Sequence, residues 1–480
     1  MRSLVLFIVV TLFSTFSFSQ NLVSATLNGS RTKAQITSLF SLNLVRNGAK
    51  YYKLTYSSKD AKGQLDTLSG LMVIPDDLKF TYPSLVYQHG TSDCKKCVPS
   101  SYGSTGGEEG QLGLLFAGLG YVAVLPDYVG MGEGRGFQTY VHDATTVSAT
   151  EDMMKAVKEW TAQNGVITND QLFITGYSQG GYASMAYHQH VQKASGATAV
   201  TAAAHLSGPY SLSGVMRDLI LGEAAYNYPA YVPNTVLGFN EVYNIYNELG
   251  EFFKPEYVSD ISSYYNGTLS LFNMNARLVQ KLIANTGASV GGRLIRDDVM
   301  ADIRSNPNHK LNQILKENDL FRWKPESPTR IFYCKADDQV PYLNSVVARD
   351  SMYARGTSNT LLQVVDINSN ANHSTCFTPA LTNTLLFFLS FQRITTSTQD
   401  GTISDLMTLY PNPTSDYVFL KGDTEVTQVI IWDLDGKQRI NTPYYSGDVI
   451  STKDLESGTY IVTLINDNGV ISNQKLLIKR

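Results

Sequence analysis

The segment Gly176-Tyr-Ser-Gln-Gly180 constrains this chain more than any other, because it joins a predicted strand to a predicted helix with almost nothing between them. An apolar, strand-like run from Leu172 to Thr175 leads into it, and a run of small residues suited to a helix begins at Gly181. A turn this tight leaves no room for a Cβ atom at neighbouring positions, which explains the glycines. Its strain would hold the hydroxyl of Ser178 clear of the backbone at the edge of a sheet.

Strand and helix signals alternate along most of the chain, at intervals of roughly 30–40 residues. Predicted strands lie near residues 53–56, 69–75, 84–88, 118–126, 172–175, 199–207, 330–334 and 361–367, and predicted helices lie near 147–160, 345–354 and 379–391. This alternation predicts an α/β fold with a mostly parallel central sheet and helices on both faces.

Residues 211–328 break this alternation. Apolar residues recur there at helical spacing in three groups: Val242, Ile245 and Leu249; Leu278 and Leu282; Leu311, Ile314 and Leu315. The spacing predicts a helical insertion that covers the site as a cap, with an additional helical layer as the alternative. A cap would build the substrate pocket and exclude water.

The first 19 residues predict export from the cell. Met1 and Arg2 precede an apolar run of about ten residues and a small-residue end, the pattern of a secretory signal peptide. That run is too short to span a membrane, and no other apolar run is long enough to do so. The chain has 480 residues and a net charge of −4, which gives no basic surface for nucleic acid or for anionic membranes.

Several motifs in order resemble those of the α/β-hydrolase superfamily, and within it the secretory lipase group. They are Gln88-His-Gly-Thr, Leu125-Pro-Asp-Tyr-Val-Gly, Gly176-Tyr-Ser-Gln-Gly-Gly and Asp337-Asp-Gln-Val-Pro-Tyr, with a large helical insertion before the last. The resemblance covers residues 50–392 and implies an esterase or lipase that uses no metal or other cofactor. The loop Cys94-Lys-Lys-Cys97 departs from that pattern.

Acyl transfer by a serine needs a neutral imidazole to take its proton and a carboxylate to orient that imidazole. Because the acid and the histidine follow the serine in that order in this superfamily, the order here selects Ser178, Asp337 and His373. Asp337 and His373 would both follow strand ends. The alternatives considered for the acid and the base are Asp338, Asp366 and His309.

Two backbone N–H groups are the candidate oxyanion donors. One belongs to Gln179, directly after the serine, and the other to Thr91, just after the strand that ends at His89. His89 itself is interpreted as a hydrogen-bonded spacer, with a role as base as the alternative. His188, His190 and His205 are interpreted as ordinary helix or strand residues.

The four cysteines predict disulfide bonds, because the chain is exported. Cys334 precedes Asp337 by three residues and Cys376 follows His373 by three, so a bond between these cysteines would tie the two catalytic loops together. Cys94 and Cys97 would close a small loop beside the oxyanion strand. A metal site is the alternative, but no second pair of suitably spaced ligands accompanies Cys94 and Cys97.

The C-terminal part is predicted to be separate from the catalytic domain (residues 20–393), after a polar linker at 394–404. Short alternating strands and Asp-Gly and Ser-Gly turns predict a small all-β sandwich over 405–480. It resembles the C-terminal sorting domain of the type IX secretion system in its Tyr410-Pro-Asn-Pro, Gly436-Lys and Ser457-Gly-Thr-Tyr elements. That resemblance implies the secretion machinery as a partner, and release outside the cell or attachment to its surface. A carbohydrate-binding or adhesion sandwich is the alternative.

Three functions remain open from the sequence. The favoured one is a secreted carboxylic-ester hydrolase acting on a lipid or an acylated carbohydrate. The others are a secreted serine peptidase with the same triad and a non-catalytic binding protein on a hydrolase scaffold.

Overall fold

The computed structural model describes residues 21–104, 106–396, 407–422, 425–434, 436–466 and 469–480. The predicted signal peptide and most of the predicted linker lie outside the described residues. None of the described helices is both long enough and apolar enough to cross a membrane.

A ten-stranded sheet forms the centre of the larger part of the chain. Its strands are β1 (Leu22–Arg31), β2 (Ala49–Lys59), β3 (Leu65–Pro75), β4 (Phe80–Gln88), β5 (Val122–Pro126), β6 (Thr168–Tyr177), β7 (Ala202–Leu206), β8 (Thr329–Tyr333), β9 (Leu362–Asp366) and β10 (Thr395–Thr396). The order is β1-β2-β3-β5-β4-β6-β7-β8-β9, and β10 pairs with the start of β4. Neighbours from β5 to β9 run parallel, whereas β1, β2 and β3 add an antiparallel edge. The predicted α/β fold with a mostly parallel sheet is confirmed.

Helices surround this sheet and fill the interval between β7 and β8. They are α1 (Lys33–Phe40), α2 (Gln111–Gly118), α3 (Asp143–Gln163), α4 (Gln179–Ser195), α5 (Arg217–Leu221), α6 (Tyr231–Tyr243), α7 (Leu249–Phe252), α8 (Pro255–Tyr265), α9 (Leu271–Thr286), α10 (Asp297–Ser305), α11 (Lys310–Glu317), α12 (Leu343–Ala354) and α13 (His373–Leu389). Buried side chains of the segment α5–α11 form one hydrophobic cluster with Tyr182 and Met185 of α4. The predicted insertion is therefore helical and packs on the helix that follows Ser178.

Three local predictions differ from the structure. The strand predicted over 118–126 begins only at Val122, because residues up to Gly118 end α2. The apolar stripe after Val242 is not one helix, because Asn244 adopts a left-handed φ of 52° and ends α6. The helix predicted to start at Pro379 begins at His373 and carries the proline inside it.

The C-terminal part consists of two antiparallel sheets around one core. Its strands are β11 (Thr408–Tyr410), β12 (Tyr417–Lys421), β13 (Gln428–Trp432), β14 (Gln438–Pro443), β15 (Val449–Ser451), β16 (Gly458–Asn466) and β17 (Gly469–Ile478). The sheet orders are β11-β12-β15 and β14-β13-β16-β17. Val418, Val429, Ile431, Val462 and Leu464 fill the shared core. This arrangement confirms the predicted all-β region.

Candidate active site

The turn between β6 and α4 is as tight as the sequence predicted. Ser178 has φ 61° and ψ −120°, a conformation that costs a non-glycine residue about 1–3 kcal/mol. A Cβ atom at Gly176 would lie 2.3 Å from the carbonyl oxygen of Gly180, and one at Gly180 would lie 1.9 Å from that of Gln88. Both glycines are therefore required by the close approach of the backbone.

Asp337 and His373 form a hydrogen-bonded pair. The Nδ1–H of His373 donates to Oδ2 of Asp337 at 2.7 Å, and their side chains are only 7% and 1% exposed. The other oxygen of Asp337 accepts the N–H groups of Gln339 at 3.0 Å and Val340 at 2.8 Å. The carboxylate is therefore held on both sides, and with Nδ1 protonated the free lone pair of the ring lies on Nε2.

The alternative acids and the alternative base make other contacts. Asp338 accepts the backbone N–H of His373 at 3.1 Å and does not reach its ring. Asp366 accepts the hydroxyl of Ser369 at 2.6 Å. His309 accepts the N–H of Leu311 and caps α11 in the helical insertion.

Three features position His373 at the start of α13. Asn372 caps this helix by accepting the N–H of Thr375 at 3.0 Å. The hydroxyl of Tyr177, the residue before the serine, donates to the carbonyl oxygen of His373, and the two rings lie 4.9 Å apart. Because Tyr177 also ends β6, it links the base to the strand that carries Ser178.

The described residues contain no hydrogen bond between the hydroxyl of Ser178 and His373. Ser178 is 9% exposed, and its N–H donates to the carbonyl oxygen of Leu206 at 2.9 Å. Catalytic hydrogen bonds are often long without substrate and tighten when it binds. The structure thus pairs the acid with the base, and the base contacts Tyr177, the residue before the serine.

Both candidate oxyanion donors are backbone N–H groups with no partner within a helix or strand. Gln179 opens α4, and the first N–H groups of a helix have no partner within the helix. The N–H of Thr91 donates to no other described residue. His89 is buried, stacks on Tyr128 at 4.2 Å and places Nδ1 2.7 Å from the carbonyl oxygen of Gly90, so it acts as the predicted spacer.

Two carboxylates that sequence reasoning missed, Glu109 and Asp127, lie near the loop that carries Thr91. Glu109 accepts the N–H of Gly90 at 3.0 Å. Asp127 is fully buried and accepts the hydroxyl of Ser69 at 2.6 Å and the N–H of Ser100 at 3.0 Å. Burial raises the pKa of Asp127, and these hydrogen bonds oppose that rise. The motif around Asp127 was visible in the sequence, but its partners were not.

A row of tyrosines, also missed, connects the loop of Thr91 to the loop of Asp337. The hydroxyl groups of Tyr140 and Thr91 lie 2.9 Å apart. Tyr231 stacks on Tyr140 with ring centroids 6.3 Å apart and donates to Oε1 of Gln339 at 2.8 Å. With 29 tyrosines in the chain, nothing in the sequence singles these out.

The structure contains both predicted disulfides, Cys94–Cys97 and Cys334–Cys376. The second joins the end of β8 to the first turn of α13, so it ties the segments of Asp337 and His373 together. No cluster of His, Cys, Asp or Glu suited to a metal ion occurs among the described residues.

A strand–serine–helix turn on a mostly parallel sheet, with an acid and a histidine after later strands, defines the α/β-hydrolase class of fold. Residues 113–207 match the prolyl oligopeptidase family. Residues 408–479 match the secretion system C-terminal sorting domain, so the predicted sorting domain is confirmed. No curated protein matches the chain.

Solved structures share the fold of the larger part. The rice cell wall degrading esterase LipA from Xanthomonas oryzae matches with a TM-score of 0.64 at 25% identity, covering 76% of this chain and 96% of that one. Candida antarctica lipase A matches with a TM-score of 0.56 at 15% identity, covering 77% of this chain and 81% of that one. The matches support a serine hydrolase and leave open whether it cleaves esters or peptides.

Proposed function

We propose that this protein is an exported hydrolase of carboxylic esters that works through an acyl-enzyme. Ser178 is the nucleophile, His373 the general base and Asp337 the acid that orients it. The observation that carries this proposal is the 2.7 Å hydrogen bond between His373 and Asp337, together with a serine held at a φ of 61° in the turn between β6 and α4.

In the first step Ser178 Oγ attacks the ester carbonyl carbon while its proton passes to Nε2 of His373. Asp337 accepts the Nδ1–H and stabilises the imidazolium that results. The imidazolium then gives its proton to the leaving alkoxide, and the alcohol departs. Water attacks the acyl-enzyme with its proton again passing to His373, which releases the carboxylic acid and restores the Ser178 hydroxyl.

The negative charge that develops on the carbonyl oxygen needs donors that are already in place. The N–H groups of Gln179 and Thr91 are proposed for this role. One such donor typically contributes about 10²–10³ in rate, because it points at charge that appears only in the transition state.

A serine peptidase is the second candidate, because residues 113–207 match the prolyl oligopeptidase family. The same triad would serve either reaction. The ester proposal is favoured by the similarity to the esterase LipA and to a lipase, which extends over three quarters of the chain.

A substrate panel separates the two candidates. The purified protein is assayed on p-nitrophenyl esters of increasing acyl length and on aminoacyl p-nitroanilides, with Ser178→Ala beside the wild type. We expect ester turnover that falls by about 10⁴-fold or more in Ser178→Ala. Ser305→Ala, which removes an exposed hydroxyl on α10, is the matched control and should keep full activity. Peptide turnover without ester turnover would support the peptidase, and equal activity in Ser178→Ala would reject the triad.

The domain limits are part of the proposal: a catalytic domain at 20–393 with its cap at about 211–328, a linker at 394–404 and the sorting domain at 405–480. The match to a sorting domain at 408–479 supports the last of these. Deleting residues 405–480 in a bacterium with type IX secretion should stop the protein from reaching the medium or the cell surface. Unchanged export, measured by immunoblotting of cell fractions, would contradict this.

A further inference from the structure

A cavity of about 580 Å³ opens between the loop after Thr91 and the loop that joins α8 to α9. Its lining includes Ser92, Lys95, Lys96, Phe137, Gln138 and Tyr265. Neither the proposed triad nor the oxyanion donors lie in it. The cavity therefore has the size of a ligand site but no role in the chemistry described above.

The wall that carries the lysines is anchored on both sides. The Cys94–Cys97 disulfide closes the loop on itself. The carbonyl oxygen of Asp93 accepts the N–H of Leu271 at 3.0 Å, and its carboxylate accepts that of Phe272 at 2.7 Å. Because both N–H groups belong to the first turn of α9, the loop is attached to the cap and the cavity is preformed.

Two ammonium groups line this wall without a carboxylate partner of their own. Lys95 donates to the carbonyl oxygen of Gly136 at 3.2 Å, and neither Lys95 nor Lys96 forms an ion pair with any described residue. Of the nearby carboxylates, Asp93 accepts from α9, Glu133 pairs with Lys53 at 2.5 Å and Asp66 pairs with Arg135 at 2.9 Å. Glu241 accepts the hydroxyl of Tyr265 at 2.7 Å. The wall is therefore suited to an anionic group, which two ammonium groups can bind by charge-assisted hydrogen bonds.

The opposite wall is aromatic with a polar rim. The ring of Phe137 lies 5.4 Å from that of Tyr264 and 5.3 Å from that of Tyr265, and Tyr265 is 43% exposed. Gln138 and Thr268 line the cavity as well, where the Gln138 amide donates to Tyr264 and the Thr268 hydroxyl donates to a backbone carbonyl oxygen. Flat rings with polar neighbours suit a sugar ring, whose faces carry C–H groups and whose edge carries hydroxyls, better than a lipid chain.

The cavity adjoins the place where the ester would react. Ser92 lines it, and Thr91, the neighbouring residue, is the proposed oxyanion donor. Gln138 lines it as well, two residues before the Tyr140 that contacts the Thr91 hydroxyl. A substrate with its carbonyl at Thr91 could thus extend its alcohol part into the cavity.

We propose that this cavity is a substrate subsite for a uronic acid, so that the enzyme removes acyl groups from an acidic polysaccharide. The carboxylate of the sugar pairs with Lys95 and Lys96, and the sugar ring packs on Phe137 and Tyr265. This inference rests on the proposed ester hydrolysis.

The test compares three substrates: p-nitrophenyl acetate, acetylated xylan as a neutral polymer and acetylated polygalacturonic acid as an acidic one. The double variant Lys95→Met/Lys96→Met is assayed beside Lys33→Met/Lys79→Met, which removes two exposed charges elsewhere. We expect kcat/KM on the acidic polymer to fall by about tenfold or more in the first variant, because two charge-assisted contacts are lost. The other two substrates should change by less than about twofold, and the control variant should match the wild type on all three.

A separate variant tests the aromatic wall. Tyr265→Ala should lower kcat/KM on both polymers by about threefold to tenfold and leave p-nitrophenyl acetate unchanged, since the small ester does not reach the ring. Raising the salt concentration should reduce the preference of the wild type for the acidic polymer, and not that of the lysine variant.

Each result supports or overturns the subsite. Activity on p-nitrophenyl acetate with no loss on the acidic polymer in the lysine variant overturns the subsite and leaves the ester proposal standing. An equal loss on all three substrates overturns it too. No wild-type activity on any ester overturns the proposed function itself.

Discussion

Two histidine environments lie near α4, the helix that follows Ser178, and among the described residues only one of them contains a carboxylate. His373 donates to Asp337 and keeps 7% of its side chain exposed. His188 on α4 and His205 on β7 are both fully buried, with His188 Nδ1 and His205 Nε2 3.2 Å apart. No carboxylate among the described residues contacts the buried pair.

The buried pair is held by hydroxyl groups instead. His188 Nε2 lies 2.8 Å from the hydroxyl oxygen of Ser327, and His205 Nδ1 lies 2.8 Å from that of Ser184. Burial lowers the pKa of His188 to about 3, and it lowers the pKa of His205 well below its ordinary value, with His188 adding to the effect. The comparison shows that burial alone gives a histidine that stays neutral, whereas a base must also have its charged form stabilised.

The largest expected effect separates these two environments directly. His373→Gln should lower kcat on esters by about 10⁴-fold or more with little change in thermal stability, because it removes the proposed base. His188→Gln should do the reverse: the melting temperature falls by several degrees, since a buried hydrogen-bonded network is broken, while kcat per folded molecule stays within about threefold. Similar losses of kcat in the two variants would remove the distinction. Assays at equal concentrations of folded protein, with calorimetry alongside, measure both.

The next effect tests which carboxylate serves the base. Asp337→Asn should lower kcat by about 10³–10⁴-fold, because an amide cannot stabilise the imidazolium. Asp338→Asn should cost about tenfold at most, since among the described residues the Asp338 carboxylate accepts a hydrogen bond only from the backbone N–H of His373. Steady-state kinetics on one p-nitrophenyl ester decide between them, and equal losses would assign the acid role to neither residue alone.

A smaller effect concerns the pH dependence of stability. The folded-state pKa of His188 lies at about 3, below its ordinary value of 6.5, so only the unfolded chain gains a proton there as the pH falls below 6.5. The stabilisation is therefore complete above pH 6.5 and is lost progressively between pH 6.5 and pH 3. As the pH falls from about 7.5 to about 5.5, protonation of this histidine in the unfolded chain should lower the free energy of unfolding by about 1–2 kcal/mol.

Urea unfolding at several pH values measures this slope. The matched control is His188→Gln, which cannot gain the proton and should show a shallower loss of stability on acidification. Equal slopes in the two proteins would mean that His188 does not carry the pH dependence.

The smallest effect lies at the tyrosine that contacts the loop of Thr91. Tyr140→Phe keeps the ring on Tyr231 and removes only the hydroxyl contact with Thr91. We expect kcat to fall by about threefold to tenfold with an unchanged KM, since a less well held oxyanion donor weakens transition-state binding alone. Tyr243→Phe, a tyrosine whose hydroxyl contacts His142 instead, is the control. A change confined to KM would indicate that Tyr140 binds substrate rather than positions Thr91.

Much of the fold could be predicted because its signals are local. The alternation of apolar strands and helices predicted the α/β sheet, and the short alternating strands predicted the C-terminal all-β region. Predicted helix boundaries were wrong where a local signal was ambiguous. Proline is common in the first turn of a helix, but α13 begins earlier, after its N-cap Asn372, and carries Pro379 inside it. Asn372 is visible in the sequence, but asparagine is also frequent in turns, so it did not mark the start of a helix.

For the candidate site, chain order selected Asp337 and His373, and the spacing of Cys334 and Cys376 suggested the bond between their segments. Sequence left Asp338 open as the alternative acid and could not show which oxygen of Asp337 meets the ring, because these contacts depend on how the loop folds. It also could not find Tyr140, whose importance depends on a residue far away in the chain.

The sequence by itself predicted the tight turn at Ser178, because Gly176-Tyr-Ser-Gln-Gly180 joins a strand signal directly to a helix signal. It also predicted the mostly parallel sheet and the likeness of the C-terminal part to a sorting domain. Only the tertiary structure decided what surrounds the turn at Ser178: the contact between His373 and Asp337, the buried pair of His188 and His205, and the cavity beside Lys95. These depend on side chains that meet across the sheet and the cap, and burial and partners at that distance are properties of the packed chain.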